Sequence, residues 1–302
     1  MLKLADYRSK SKGLPDLLPY AALIEPGVIL NKDGSFLAGW EIRGQDTASS
    51  TEGDLALVSS RFNNAVKLLG SGWMLQMDAI RSSHRAYPAP EKGYFPDPVT
   101  RLIDEERREH FSGNRCFSTS AVLTVTYKPN FQASKMAGKA QAGVAASGAL
   151  EKALAYFRNM LEELEDALSA VLHMERLLEY SMPDEDGPEE EDADWLQSDL
   201  LSHLQYCVCG ELQSVRVPKT PMYLDALLGS EDLVGGIIPR LGNRHLAVLS
   251  LDGLPQESYP AMLRDLDALA LEYRFSSRFI CLDQYDAAKE INSYRKGWRQ
   301  QV

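Results

Sequence analysis

The feature that most constrains the 302-residue chain is a run of apolar residues at steps of four and three. Leu150, Leu154, Phe157, Leu161, Leu164, Leu168 and Val171 recur in this way, Glu175 interrupts the series, and Leu178 resumes it. The spacing predicts a long helix over 150–178 with one apolar stripe. Such a stripe must be covered. Packing inside the chain, across a sheet or against another helix, is the expected use; an intermolecular coiled coil is the alternative.

Sheet-forming segments stand on both sides of this helix. Residues 28–31 and 35–43 are apolar runs separated by Lys32-Asp33-Gly34, which is turn chemistry and predicts a hairpin. A helix is expected from Glu52 to Leu69, opened by a Thr51/Asp54 capping box. Residues 72–81 read as a buried strand and 116–127 as a β-branched, alternating one. Between them lie a proline-rich excursion at 82–98 and a short charged helix at 99–111. The last third repeats the pattern, with a strand at 245–251, a helix at 259–269 and a strand at 273–282. The expected class is therefore α+β: mixed sheets, two strand–helix–strand units with helices on one sheet face, and a long central helix. The divisions are a basic arm at 1–20, a first α+β subdomain at 21–128, a connection with the long helix and an acidic loop at 129–195, and a second subdomain with a connector helix at 196–302. In the connection, 130–149 is Ala- and Gly-rich, a flexible link or a weak helix.

Charge is uneven. Thirty-two basic against forty-three acidic residues give a net charge of −11. Residues 181–194 alone hold eight acids and no base, so without them the net charge is −3. A helix is expected to resume at Trp195 and run to Tyr206. The acidity opposes general nucleic-acid binding, which needs a cationic surface. Basic residues gather at two places: Lys3, Arg8, Lys10 and Lys12 in the arm, and Lys289, Arg295, Lys296 and Arg299 beside Trp298 near the end. No run of 18 apolar residues and no signal-peptide pattern is present, so a cytoplasmic chain is expected.

Catalytic motifs are missing from the sequence. There is no G-x-x-x-x-G-K-[ST], no G-x-G-x-x-G after a strand, no G-x-S-x-G and no H-E-x-x-H. The set His203, Cys207 and Cys209 invites a metal reading, but Cys-x-Cys is closer than the usual zinc spacing and ends an apolar helical run. Buried structural thiols are expected there instead. No catalytic, cofactor or metal ligand is assigned.

In the segment Tyr273–Ile280, alternation sets Tyr273, Phe275 and Phe279 on one face and Arg274, Ser276 and Arg278 on the other. The two arginines can pair with carboxylates in a surface ladder or meet a partner. The same tract, YRFSSRFICLDQYDAAKEINSYRKGWRQ, together with LPYAALIEPGVILNKDGSFLAGWEIRGQD and GSGWMLQMDAIRS, resembles the N-terminal domain of the type IV secretion and conjugal transfer ATPases (TrbE/CagE-like). The likeness is specific at both ends and weak over 129–195. It implies a non-catalytic domain that docks a motor to an inner-membrane secretion channel for conjugative DNA or protein transfer and pilus assembly. In that family the motor, with its phosphate loop, lies beyond the position of Trp298, so ATP and Mg are implied only there. Also implied are contacts through Arg274, Arg278, Arg295, Lys296, Trp298, Lys3, Arg8, Lys10 and Lys12 to channel components or to the chain's own motor, a peripheral inner-membrane location, and a hexamer for the full-length form. The isolated chain is expected to be a monomer or weak oligomer. A nucleic-acid module and a stand-alone enzyme are the alternatives.

Overall fold

The computed structural model describes residues 13–45, 49–83, 87–113, 116–129, 142–182, 195–220, 222–250, 257, 259 and 262–301. Its centre is an antiparallel sheet of β1 (Tyr20–Glu25), β2 (Val28–Asn31), β3 (Phe36–Gly44), β4 (Trp73–Ser83), β5 (Phe117–Tyr127), β6 (Leu172–Arg176) and a late strand at Tyr273–Ile280. The order is β1-β2-β3-β5-β4 and then the late strand, with β6 on the same edge of β3 as β2. Helix α2 (Glu52–Val66) follows β3 and leads to β4, but β5 lies between the two strands. That is a split strand–helix–strand unit.

Local signals explain the elements. Asp33 and Gly34, the latter at φ 81°, close the β2–β3 hairpin. The capping box opens α2 as expected: the Thr51 hydroxyl accepts from Asp54 N–H, and the Asp54 carboxylate accepts from Thr51 N–H at 2.9 Å. Helix α1 (Leu14–Leu17) is a single turn before β1, and α3 (Pro98–Ser112) buries none of its residues.

The long helix is α4 (Ala142–Leu168). Phe157, Leu161, Leu164 and Leu168 are fully buried against Phe36, Trp40, Trp73, Leu123 and Val125, so its stripe is covered by the chain's own sheet. The helix stops earlier than the apolar series. Val171 lies in a turn, and Glu175 sits in β6, where the backbone pairs with Glu41 of β3. Open hydrogen bonds on the β3 edge are satisfied by extending the chain as a strand, which ends the helix before its periodicity ends.

The opposite sheet face is also covered. After β7 (Glu179–Met182) and β8 (Trp195–Ser198), helix α5 (Asp199–Cys209) buries Leu200, Leu201 and Leu204 against Ile29, Leu37 and Val122. Helix α6 (Leu224–Leu228) adds Leu224 and Leu228. Trp195 thus belongs to a strand rather than a helix start. The Ser198 hydroxyl caps α5 by accepting from Leu201 N–H, and Gly210 at φ 72° ends it.

The α+β class holds, with corrections. Every strand pairing among the described residues is antiparallel, so the sheets are not mixed. Helices pack on both faces of the central sheet rather than on one. The second strand–helix–strand unit is reduced. Short strands β9 (Val215–Arg216), β10 (Leu233–Val234), β11 (Arg240–Leu241) and β12 (Arg244–His245) replace its first strand. Leu249 is 98% exposed and outside any sheet, and the helix shrinks to a 3-10 turn at Arg264–Ala268. The apolar run 246–249 pairs with no strand among the described residues. The final strand, β13 (Tyr273–Ile280), pairs with β4 over its whole length, and α7 (Gln284–Gln301) follows. The arm at 1–12 and most of the acidic loop, 183–194, lie outside the described residues.

Candidate functional site

Polar groups converge at one place, between β4, β13 and α5. The apolar alternation of β4 sends Trp73 and Leu75 toward α4, which leaves Gln76, Asp78 and Ile80 on the α5 side. Antiparallel register sets Ser276 opposite Asp78, Arg274 opposite Ile80 and Arg278 opposite Gln76. Helix α5 supplies His203 and Cys207, four residues apart and hence on one helix face.

The distances are short. His203 Nε2 lies 3.5 Å from Asp78 Oδ2 and 3.5 Å from Cys207 Sγ, and Cys207 Sγ lies 4.0 Å from Asp78 Oδ2. Gln76 Nε2 donates to the same Asp78 oxygen at 3.1 Å. Asp78 Oδ1 has no hydrogen-bond partner; Arg274 Nε stands 3.8 Å from it. Asp78 is fully buried, His203 nearly so, and Cys207 half-buried.

The groups polarise one another. Burial would raise the Asp78 pKa, yet His203, Ser276, Arg274 and Gln76 together hold it below the usual carboxylate value. Burial would lower that of His203, but the Asp78 carboxylate and the Cys207 sulfur push it up to about 9. Tyr20 on β1 feels the same cluster: burial first, then the Cys207 and Asp78 charges, raise its phenol to about 12 against the pull of Arg274 and Arg278.

This is not a nucleophilic relay. A Cys–His–Asp relay needs the carboxylate on one ring nitrogen and the thiol on the other. Here both approach Nε2. The three donor atoms face a common point instead of forming a line.

The residues singled out from sequence lie partly here. Arg274 and Arg278 are both exposed on the same strand face, and Arg274 reaches within 3.8 Å of Asp78 Oδ1. Arg295 and Lys296 are exposed on α7; Trp298 belongs to the same helix, its side chain outside the described residues. Lys3, Arg8, Lys10 and Lys12 also lie outside them. The expectation of two buried thiols at 207 and 209 needs correcting. Only Cys209 is buried, packed near Leu14 and Leu241, and Cys207 faces Asp78 and His203. Asp78 was missed, although a lone acid inside the apolar strand WMLQMDAI was a readable signal. Elsewhere, an open cleft of ≈ 420 Å³ beside Arg43, Glu165 and His173 gathers no comparable set.

Among its described side chains, helix α7 is anchored at its start. Ser71 donates to Asp286 Oδ2 at 2.6 Å and accepts from Asp283 N–H at 3.0 Å. From Ala288 to Lys296 every side chain is exposed. Among the described residues no helix is long and apolar enough to cross a membrane.

Residues 27–135 match the family described as type IV secretion system ATPase VirB4/TrbE, N-terminal domain. The chain is 38% identical to a conjugal transfer protein TrbE of Rhizobium radiobacter over 306 residues, all of this chain and 37% of that protein. It is 41% identical over 131 residues to the first of two separate chains described as probable conjugal transfer protein TrbE in Sinorhizobium fredii, covering 43% of this chain and 88% of that one. It is 24% identical over 309 residues to a type IV secretion system protein virB4 of Brucella suis, covering 97% of this chain and 35% of the relative. The chain thus spans little more than a third of the TrbE of Rhizobium radiobacter and of the virB4 protein.

Proposed function

The chain belongs to the VirB4/TrbE family of type IV secretion system ATPases, and from that premise we propose that it is the non-catalytic N-terminal portion that docks the motor to the inner-membrane channel in conjugal transfer and pilus assembly. The observation that carries this reading is the likeness to TrbE along the whole chain but only 37% of that relative. The sequence lacks a phosphate loop, so nucleotide chemistry falls to the part of the family's architecture beyond this chain. The exposed α7 suits a connector toward that part. Its basic residues Lys289, Arg295 and Lys296 and the basic arm at 1–12 are the contact surfaces for the motor, the channel and the anionic inner leaflet. The location is peripheral at the inner membrane, and the hexamer belongs to the full-length form.

The test is fractionation of donor cells that carry or lack the cognate secretion channel. The expressed chain should sediment with the inner membrane only when the channel is present, and deletion of residues 1–12 should reduce recovery. Equal recovery without the channel would overturn docking. Sedimentation of the purified chain should give monomer mass at micromolar concentration, and a stable hexamer would overturn the assignment of assembly to the motor.

A further inference from the structure

We propose that Asp78, His203 and Cys207 form a binding site for one divalent transition-metal ion of the zinc class, which clamps helix α5 to the β4–β13 edge of the sheet. Three observations carry it. First, the donor atoms are already spaced as ligands. They form a triangle with sides of 3.5, 3.5 and 4.0 Å. Tetrahedral zinc with nitrogen, oxygen and sulfur ligands separates neighbouring donors by about 3.3–3.5 Å. The circle through the three atoms has a radius of about 2.1 Å, so an ion just above its centre lies about 2.2 Å from each, and the 4.0 Å oxygen–sulfur side closes by a few tenths of an ångström to complete tetrahedral geometry.

Second, the donors are held by separate, rigid elements. Asp78 is fixed on a central strand paired on both sides, and His203 and Cys207 on successive turns of a helix with its own cap and C-terminal glycine. Third, Oδ1 takes no hydrogen bond and faces the Arg274 guanidinium, so ligation falls to Oδ2, which keeps a lone pair beside its bond from Gln76. Such outer contacts orient ligands at metal sites.

The donor set selects the metal. A thiolate with an imidazole favours zinc or cobalt over magnesium or calcium, which prefer oxygen alone. The thiolate and the carboxylate balance the two positive charges of the ion. Coordination displaces one proton from the thiol and one from the imidazole to solvent. Water, entering at the half-buried Cys207 edge, completes the shell. Three protein ligands make this a clamp between α5 and β4.

The experiment uses the tag-free 302-residue chain, stripped of metal and titrated with cobalt(II) and then zinc(II). One equivalent of cobalt should produce a sulfur-to-cobalt charge-transfer band and visible bands of tetrahedral intensity, both removed by zinc. Cys207→Ser should abolish the charge-transfer band, whereas Cys116→Ser and Cys209→Ser retain it. His203→Gln should weaken cobalt binding at least tenfold. Zinc should also raise the thermal midpoint of the wild-type chain. Should Cys207→Ser not fold, alkylation of the wild-type chain decides. Zinc should protect Cys207 and leave Cys116 as reactive as before. Absence of saturable binding, a charge-transfer band that survives Cys207→Ser, or Cys207 labelling unchanged by zinc would each overturn the proposal.

Discussion

The indole of Trp73 and the ring of Phe157 stack with centroids 5.6 Å apart and planes 21° from parallel. Both are buried, one on the central strand β4 and the other on the long helix α4, so this contact fixes where the helix crosses the sheet. Phe157→Ala should cost about 3–5 kcal/mol, because an aromatic cavity in a close-packed layer collapses only partly. Leu161→Ala and Leu164→Ala should cost about 2–5 kcal/mol each. Urea unfolding checks all three. Wild-type midpoints in the leucine variants would mean that the α4 stripe is not the core.

A second prediction concerns Trp40. Its indole N–H is buried and donates to the Glu165 carboxylate, while Arg176 stands 3.5 Å from the same carboxylate and 5.3 Å above the indole ring. Glu165→Leu removes the acceptor and leaves a buried donor unsatisfied, which should cost about 1–3 kcal/mol. Glu165→Gln keeps an acceptor and should cost clearly less. Equal unfolding midpoints for the two variants would show that the carboxylate is not what Trp40 needs.

Much of this architecture was legible because its causes are local. The Asp33-Gly34 turn, the Thr51/Asp54 capping box and the alternation of 116–127 each act within a few residues, and each produced its element. The α4 stripe was legible up to Leu168. Beyond it, pairing of 172–176 with β3 decides the structure, and that partner lies more than a hundred residues away. The same holds at 246–249, where strand-like composition acquires no strand partner among the described residues. The polar cluster joins residues 78, 203, 207 and 274 through sheet register and helix placement. The sequence offered the His203/Cys207 spacing but nothing that tied it to Asp78. It also grouped Cys207 with Cys209, which a helix turns toward a different face.

Acid should weaken the β2–β3 hairpin through Asp33. Burial works to raise its pKa, but the Ser35 side chain and backbone N–H and the Lys128 ammonium, 2.9 Å away, bring it below the ordinary 3.8. A carboxylate with a depressed folded-state pKa contributes stability that is complete above its unfolded value and lost as pH falls through the folded one. The stability difference between wild type and Asp33→Asn should therefore be constant from pH 7 to about 5 and shrink below 3.8. Urea midpoints measured across that range test it. A difference that persists undiminished at the acid end would assign the effect to turn geometry rather than to charge.

The last prediction is that residues 183–194 can be replaced by Asn-Gly without loss of stability. They connect β7 to β8, whose pairing runs from Glu179 opposite Ser198 to Met182 opposite Trp195. Among the described residues, the hairpin is held at its base. The Glu179 carboxylate accepts from Gly27 N–H at 2.8 Å and from the Ser198 hydroxyl at 2.8 Å, which ties the strands to the β1–β2 turn and to the start of α5. Trp195 is flanked by Arg216 and Lys219, 5.0 and 4.9 Å from its ring. The replaced segment carries eight acids and no base, so it has like charges to separate and little apolar surface to bury. A two-residue Asn-Gly connection suits an antiparallel pair of this kind. The shortened chain, with a net charge of −3 instead of −11, should leave an anion-exchange column at lower salt and keep its thermal midpoint. A large fall in the midpoint would mean that the acidic segment packs on the body and contributes to holding Trp195 and β8 in place.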